Sequence, residues 1–370
     1  MLKKLLKKFF IRYAYKSFNK SGTKKALLSF IVHPYFFKTF KHPNIIELEC
    51  IVSILEKMGY SITVVDYRRK KIHKKYDLVL GFGDCFEYAI NHNYGTKFIL
   101  YSTGFPAFIQ NQNTIEAFFR FKQIYTEKQY IVSDKYIRLT ENVWPRQLIE
   151  SDAIITIGND YVKSLYKRFH DKIYCIPSTA FKIITQQSTT INSIKKNSFL
   201  WFGGKGCIHK GLDLCIAAIA GTEYKLYIAG PIDDEICIFN DILSTYPDNF
   251  EYLGFLSVNT EEFCEVVEHI PFCILPSCSE AMATSIVTLA SNFGTIPLIT
   301  KECGFDFDNE IIEINSLTIQ SVKQALFKAS LLTKDEIYIR KSSIKRKYSS
   351  YHSNESFYSK FEYSLKEILR

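Results

Sequence analysis

The feature that most constrains the fold is an alternation of short apolar runs with segments of helical periodicity. It begins at residue 26, where Leu27–Val32 is an apolar run of strand length and Asn44–Met58 carries apolar residues at helical spacing. Further apolar runs of strand length recur as far as residue 314. Such βα alternation predicts parallel sheets covered by helices, with ligands bound at the carboxyl ends of the strands. The expected class is therefore α/β.

The alternation also predicts how the chain divides into domains. Residues 181–197 are polar with little periodicity, as is typical of a linker. The sequence therefore predicts an N-terminal domain at residues 26–180 and a second domain at 198–335, and a chain of 370 residues suits two such domains. The basic segment 336–370 is expected to be a helical tail that could cross back onto the first domain.

Composition and charge indicate a globular chain without a metal site or a disulfide framework. The ten cysteines show no C-x-x-C spacing and no histidine partners at zinc-ligand intervals, so we expect them to be reduced and mostly buried. The net charge of +9 is modest, and much of the excess lies at the two ends. No run reaches the ~18 apolar residues of a membrane span and no cleavable signal is evident, which predicts a cytoplasmic protein.

Residues 1–25 form a basic leader with the pattern of an amphipathic helix. Apolar side chains recur at helical spacing: Leu2, Leu5, Leu6, Phe9, Phe10 and Tyr13. Basic side chains fill the other face: Lys3, Lys4, Lys7, Lys8, Arg12 and Lys16. Such a helix could lie on an anionic inner membrane surface, where each basic residue contributes about 1 kcal/mol, or it could pack on the protein's own body. Both interpretations stay open.

A glycine-rich and lysine-containing loop follows the predicted strand Phe199–Phe202. It reads Gly203-Gly204-Lys205-Gly206, with Lys210-Gly211 shortly after. Glycines let backbone N–H groups approach an anion, lysines supply positive charge, and a helix beginning near Lys210 would aim its positive end at the same place. The loop therefore predicts a site for a phosphate-bearing ligand. The alternative is that the two lysines are solvated surface residues.

Several short motifs in the second domain occur in a recognisable order. They are Gly204-Lys205, Lys210-Gly211-Leu212-Asp213, Leu226-Tyr-Ile-Ala-Gly230, Tyr252-Leu-Gly254-Phe255, Leu275-Pro276-Ser277-Cys-Ser279-Glu280 and Gly294-Thr-Ile-Pro297. Together they resemble the donor domain of a family 4 glycosyltransferase of the GT-B fold. The match covers about residues 199–304. In the first domain the similarity is architectural.

The resemblance implies a GT-B fold, in which two Rossmann-like domains face a cleft. It also implies a metal-independent, retaining transfer of a sugar from a nucleotide-sugar donor to a hydroxyl of a glycan or lipid-linked acceptor, in bacterial cell-surface polysaccharide synthesis. The donor is then a substrate, and neither a cofactor nor a nucleic-acid partner is expected. Lys205 and Lys210 would stabilise the charge on the leaving diphosphate in place of a cation. Lys205 stands where the family usually has arginine. A lysine keeps the positive charge, but it cannot hold a phosphate with two parallel hydrogen bonds as an arginine does.

Glu280 and the helix after it are the remaining donor-side candidates. In the family this glutamate begins an E-x7-E pair and hydrogen-bonds the donor sugar, whereas the second glutamate holds the ribose. Thr288 occupies the second position here, and a hydroxyl cannot accept two charge-assisted bonds. Free N–H groups at the start of the helix could hold a phosphate; the residues concerned are Ala281, Met282, Thr284 and Ser285. The alternative is that Glu280 only favours the helix N-terminus.

The acceptor side is less defined. His33, His42 and Asn44 follow the first predicted strand, and Gly104 follows a later one. These residues could touch the acceptor or belong to ordinary loops, and His209 beside Lys210 has the same ambiguity.

Two motifs predict no site. Gly81-Phe-Gly83-Asp84 lacks the third glycine of a dinucleotide fingerprint, and Asp306-Phe-Asp308 stands in the wrong context for a metal-binding pair.

Two rival functions remain. The chain could be a catalytically impaired GT-B subunit that binds glycan or a partner enzyme, because the second glutamate is missing. It could also be a nucleotide-dependent epimerase with a similar two-domain fold, which would consume its donor without any acceptor.

Overall fold

The computed structural model describes residues 15–32, 43–125, 137–183, 190–258 and 260–370. The chain forms two compact units. The first takes in residues 1–106, 142–181 and 353–370, and the second residues 107–141 and 182–352. Each unit is built on a sheet of mainly parallel strands with helices between them. The α/β class predicted from the sequence is confirmed.

The sheet of the first unit is parallel except at one edge. Its strands are β1 (Tyr15–Phe18), β2 (Lys24–Phe30), β3 (Tyr60–Asp66), β4 (Tyr76–Gly81), β5 (Gly95–Ser102), β6 (Ala153–Ile157) and β7 (Ile173–Ile176). Their order is β1-β3-β2-β4-β5-β6-β7, and only β1 runs antiparallel to its neighbour among these strands. All five residues of β6 are buried, as expected of an interior strand covered on both faces.

The helices of the first unit include the C-terminal one. They are α1 (Pro43–Lys57), α2 (Asp84–Asn91), α4 (Pro145–Glu150), α5 (Asp160–Tyr166) and α13 (Asn354–Leu369). Helix α13 packs against α1, where Lys57 and Glu362 form an ion pair of 3.1 Å. Phe361 of α13 lies edge-on to the buried Tyr101 ring of β5, with 5.7 Å between ring centroids.

The sheet of the second unit determines where its loops emerge. Its strands are β8 (Ser198–Phe202), β9 (Lys225–Ala229), β10 (Phe250–Gly254), β11 (Phe272–Leu275), β12 (Ile296–Ile299) and β13 (Ile312–Glu313). They are parallel in the order β10-β9-β8-β11-β12-β13, so the direction of winding reverses between β8 and β11. In open α/β sheets, ligands bind outside the carboxyl ends of the strands at such a reversal.

The helices of the second unit are α3 (Ala107–Ile124), α6 (Leu212–Ile219), α7 (Asp233–Ile236), α8 (Asn240–Thr245), α9 (Glu261–His269), α10 (Thr284–Phe293), α11 (Ile319–Ser330) and α12 (Lys334–Tyr351). Threonine side chains cap three of them by accepting a backbone N–H of the first turn: Thr260, Thr318 and Thr333. Within the parts of the chain that the structure describes, no helix is long and apolar enough to cross a membrane.

Helix α3 belongs to the second unit although it lies between two strands of the first in the sequence. The Arg120 guanidinium donates hydrogen bonds of 3.2 to 3.3 Å to the buried Asp213 carboxylate at the start of α6. The Tyr125 hydroxyl donates to the Asp213 carbonyl at 2.9 Å, and Phe121 lies edge-on to Phe239. The boundaries predicted from the sequence placed α3 in the first domain.

Two secondary-structure predictions are wrong. Residues 1–14 of the predicted leader helix lie outside the described residues, but Tyr15–Phe18 form β1 rather than helix, because β3 offers an edge for backbone pairing. From the sequence alone, residues 114–150 also favour helix, but they are not helical throughout. Residues 137–144 are irregular, and Pro145 starts a new helix, since a proline disfavours helical backbone in the residue before it.

Candidate functional site

Strands β8 and β11 bring the two donor-side segments to one edge of the second sheet. They pair in parallel, with Phe199 opposite Phe272 and Leu200 opposite Cys273. The loop 203–211 follows β8 and the loop 276–283 follows β11, so both loops emerge where the strand order reverses. Gly211 ends the first loop with φ +70°, and a Cβ there would lie 2.1 Å from the Pro276 carbonyl oxygen. Glycine is therefore required for the two loops to approach this closely.

Lys210 and Glu280 meet in this place. The Lys210 ammonium donates a hydrogen bond to Glu280 Oε1, and the Ser277 hydroxyl donates to the same oxygen at 3.2 Å. The two side chains are 10% and 14% exposed. Burial alone would raise the pKa of Glu280, but the charges of Lys210 and Arg138 outweigh it and hold that pKa at about 2. Glu280 is therefore a carboxylate at any physiological pH.

Arg138 is a third charged residue at this point, and it is not among the site residues predicted from the sequence. Its Nη1 atom lies 3.7 Å from Glu280 Oε1, and its side chain is 46% exposed. The segment around it is tied to α3, because Asn111 Nδ2 donates to the Thr140 carbonyl at 3.0 Å and Thr140 N donates to Asn111 Oδ1 at 2.8 Å. The local sequence carries no motif that would have singled out Arg138.

Lys205 is not brought together with Lys210 and Glu280. Its side chain is 64% exposed, and its ammonium lies 3.6 Å from the carboxylate of Asp234, which is also exposed. Surface pairs of this kind contribute little to stability.

The glycine loop uses much of its hydrogen-bonding capacity inside the protein. Gly203 N donates to the Ala229 carbonyl at 3.1 Å. Gly206 N and Cys207 N both donate to the buried Glu235 carboxylate, at 2.9 and 2.7 Å to its Oε2 atom. These three amides are therefore engaged within the protein. A Cβ at Gly204 would meet no atom within 4 Å. Glu235, like Arg138, is not among the site residues predicted from the sequence.

His209 supports the loop after β11 from beneath. Burial lowers its pKa to about 4, so the imidazole is neutral at physiological pH. Its Nε2 donates to the Ser279 carbonyl at 2.9 Å, which leaves Nδ1 as an acceptor 2.9 Å from the Thr114 hydroxyl of α3. Asn113 of α3 adds a donor bond of 2.8 Å to the Cys278 carbonyl. His209 and α3 therefore position the loop that carries Glu280.

The start of α10 lies directly after this loop. Ala281 and Met282 are buried, and Thr284 and Ser285 form the first turn, whose N–H groups have no partner within the helix. Thr288 is also buried, one turn further along, and its carbonyl accepts a bond of 2.8 Å from Asn292.

No protein-family model matches the chain, and no curated protein matches its sequence. Solved structures do match. Sucrose-phosphate synthase from Thermosynechococcus elongatus is similar over 93% of this chain and 98% of its own, with 10% identity and a TM-score of 0.61. Anabaena HepE in complex with UDP and glucose is similar over 93% and 100%, with 11% identity and a TM-score of 0.58. A TarM variant from S. aureus is similar over 87% of this chain and 58% of its own, with 11% identity and a TM-score of 0.51.

These neighbours decide the architecture. The chain has the GT-B fold. At 10 to 11% identity the likeness shows the fold alone, so the chemistry must be argued from the residues of this chain.

The first unit carries the residues that the GT-B resemblance placed on the acceptor side. His33 and His42 lie outside the described residues. Asn44 stands in the first turn of α1. The Gly104 carbonyl follows β5 and accepts hydrogen bonds from the Tyr166 hydroxyl at 2.7 Å and the Ser102 hydroxyl at 3.3 Å.

Two further features bear on metal and dinucleotide binding. Among the residues that the structure describes, no group of three or more histidine, cysteine or acidic side chains could hold a metal ion. Asp308 forms an ion pair with Lys347. The amide and carbonyl of Gly83 bond the Gln147 side chain at 3.0 and 2.9 Å, as in a structural βα turn.

Proposed function

We propose that this chain is a glycosyltransferase that transfers a sugar from a nucleotide-diphosphate sugar to a hydroxyl acceptor. The observation that carries the proposal is the Lys210–Glu280 pair at the carboxyl ends of β8 and β11, where the strand order of a GT-B domain reverses. The structural neighbours support it: HepE was solved with UDP and glucose, and the TarM variant with fondaparinux, α-GlcNAc-glycerol and UDP.

The proposed chemistry requires positive charge beside the departing diphosphate. The bond between the anomeric carbon and the phosphate oxygen breaks, the acceptor oxygen bonds to that carbon, and the hydroxyl proton is released. Lys210 supplies a buried positive charge where negative charge grows in the transition state. Glu280 remains ionised and can accept a hydrogen bond from a sugar hydroxyl, while the first turn of α10 can donate to a phosphate.

The finer parts of the proposal rest on the family 4 resemblance. They are a retaining and metal-independent transfer, a glycan or lipid-linked acceptor, and a role in bacterial cell-surface polysaccharide synthesis on the cytoplasmic side of the membrane. Association with that membrane through residues 1–25 is part of the same proposal. Liposome flotation with and without these residues tests it, and equal recovery would remove it.

A second candidate is a GT-B subunit that binds glycan or a partner without turnover. It is favoured by Thr288, because a buried hydroxyl replaces the carboxylate that the family uses for the ribose.

The test is a donor panel. Purified protein is incubated with nucleotide sugars and candidate acceptors, and release of nucleoside diphosphate is measured. We expect acceptor-dependent release from at least one donor, and a loss of about a hundredfold or more in Glu280→Gln. The exposed Glu251→Gln is the matched control and should retain activity within about twofold.

Other results of the donor panel would favour a different function. Donor binding without turnover would favour the non-catalytic subunit, and donor consumption that needs no acceptor would favour an epimerase. If no nucleotide sugar binds at all, the glycosyltransferase proposal fails.

A further inference from the structure

We propose that Arg138 is the second cation of the diphosphate site, in the place that the sequence resemblance gave to Lys205. The inference rests on the proposed function and specifies one part of it: which side chain, besides Lys210, contacts the leaving diphosphate.

The charges of Glu280, Lys210 and Arg138 do not cancel. One carboxylate oxygen has two cations near it, the Lys210 ammonium and the Arg138 guanidinium. Lys210 forms the hydrogen bond and neutralises the single negative charge of Glu280. Arg138 then leaves the cluster with a net charge of +1, which an anionic ligand can balance.

The position of Arg138 leaves its N–H donors available to a ligand. The distance of 3.7 Å from Arg138 to Glu280 exceeds the 2.7 to 2.9 Å typical of a charge-assisted hydrogen bond. Glu280 therefore attracts the guanidinium without engaging its N–H donors. The side chain is 46% exposed, so these donors can reach a ligand in solvent. A planar guanidinium can hold a phosphate with two parallel bonds, which an ammonium cannot do.

The loop after β8 lies against the Arg138 side chain at Gly206. Gly206 has φ +87°, and a Cβ there would lie 3.1 Å from Arg138 Cδ. The arginine stem thus lies across the glycine loop, held in place from behind by the bonds between Asn111 and Thr140. Lys205, one residue away in that loop, instead pairs with Asp234.

The test is calorimetric titration of UDP into the full-length protein and its variants. We expect Arg138→Met to weaken UDP binding by roughly tenfold to a hundredfold, and Arg138→Lys to restore part of that loss. Lys205→Met should change the Kd by less than about threefold. The exposed Arg346→Met is the matched control for loss of a positive charge and should bind UDP as the wild type does.

A second measurement separates binding from structure. Arg138→Met should remain folded, with a thermal midpoint within about 4 °C of the wild type, because the ion pair that it removes is long and partly exposed to solvent. If the wild type binds UDP and Arg138→Met binds it equally well, or Lys205→Met alone loses affinity, the assignment of Arg138 is overturned while the proposed function stands. If the wild type binds no UDP or other nucleoside diphosphate, the proposed function falls, and this inference with it.

Discussion

At the scale of single residues, the candidate site is governed by charges gathered around one carboxylate oxygen. Lys210 and Ser277 donate to Glu280 Oε1, and Arg138 lies beside it. Their combined effect keeps Glu280 ionised despite its burial, with its pKa at about 2. His209, in contrast, is buried as a neutral ring directly beneath the same loop.

His209 should make the stability of the protein depend on pH. Its pKa falls from an ordinary 6.5 in the unfolded chain to about 4 in the fold, so the unfolded chain binds the proton more tightly. The contribution of His209 is therefore fully present above pH 6.5 and is lost as the pH falls towards 4. We expect the free energy of unfolding of the wild type to drop by about 3 kcal/mol more than that of His209→Gln between pH 7 and pH 4.

Denaturant titrations at a series of pH values measure this difference. The exposed His73→Gln is the matched control and should follow the wild type. If the free energy of unfolding depends on pH in the same way for His209→Gln and the wild type, the His209 ring is not buried in its neutral form.

Individual site residues differ in how far the sequence could predict them. Lys210 and Glu280 were predictable as candidates, since each follows an apolar strand and parallel strands end at a common edge. Arg138 was not predictable, because it lies 142 positions from Glu280 in the sequence, in an irregular stretch without a motif. The amides of the glycine loop were assigned to a ligand because no local pattern shows that Glu235 accepts hydrogen bonds from Gly206 N and Cys207 N.

At the scale of elements, α3 is the unexpected feature. It follows β5 in the sequence, where a crossover helix would normally cover its own sheet, yet it packs within the second unit. Its polar contacts reach α6 through Asp213, the loop after β11 through Cys278 and the loop after β8 through His209. Helix α3 is therefore part of the support of the candidate donor site.

The Arg120–Asp213 ion pair, which joins α3 to α6, should contribute measurably to the free energy of unfolding. Asp213 is fully buried, and Arg120 is its charged partner. In Arg120→Met the buried carboxylate loses that partner, so we expect the free energy of unfolding to fall by about 3 kcal/mol or more in denaturant titrations.

Lys97→Met is the matched control, because it breaks the half-exposed pair with Asp152 and should cost about 1 kcal/mol or less. Equal losses in the two variants would contradict the docking described for α3.

Most elements could be predicted from the alternation of apolar runs, whereas partners across long sequence separations could not. Continuous apolar runs located the strands around Leu27 and Phe199, because parallel strands that are buried on both faces are apolar along nearly their whole length. Periodicity does not show which sheet a helix covers, so α3 was assigned to the wrong side of the predicted boundary. Strand β1 was taken for helix because its few residues fit both periods.

At the scale of the whole molecule, the GT-B fold follows from two parallel sheets, each with its own core. The sequence could predict this architecture, since it depends on repeated βα units rather than on single contacts. It could not predict that the chain passes between the units after residues 106, 141, 181 and 352. The residues predicted for the donor side all lie in the second unit, whereas those predicted for the acceptor side lie in the first unit or outside the described residues.

The most direct test of the central claim is a crystal structure of the protein with UDP. We predict that the diphosphate lies at the carboxyl ends of β8 and β11, with phosphate oxygens within hydrogen-bond distance of Lys210 Nζ and the Arg138 guanidinium, next to Glu280. UDP bound elsewhere, without contact to these three side chains, would contradict the proposed site, as would the absence of bound UDP at saturating concentration.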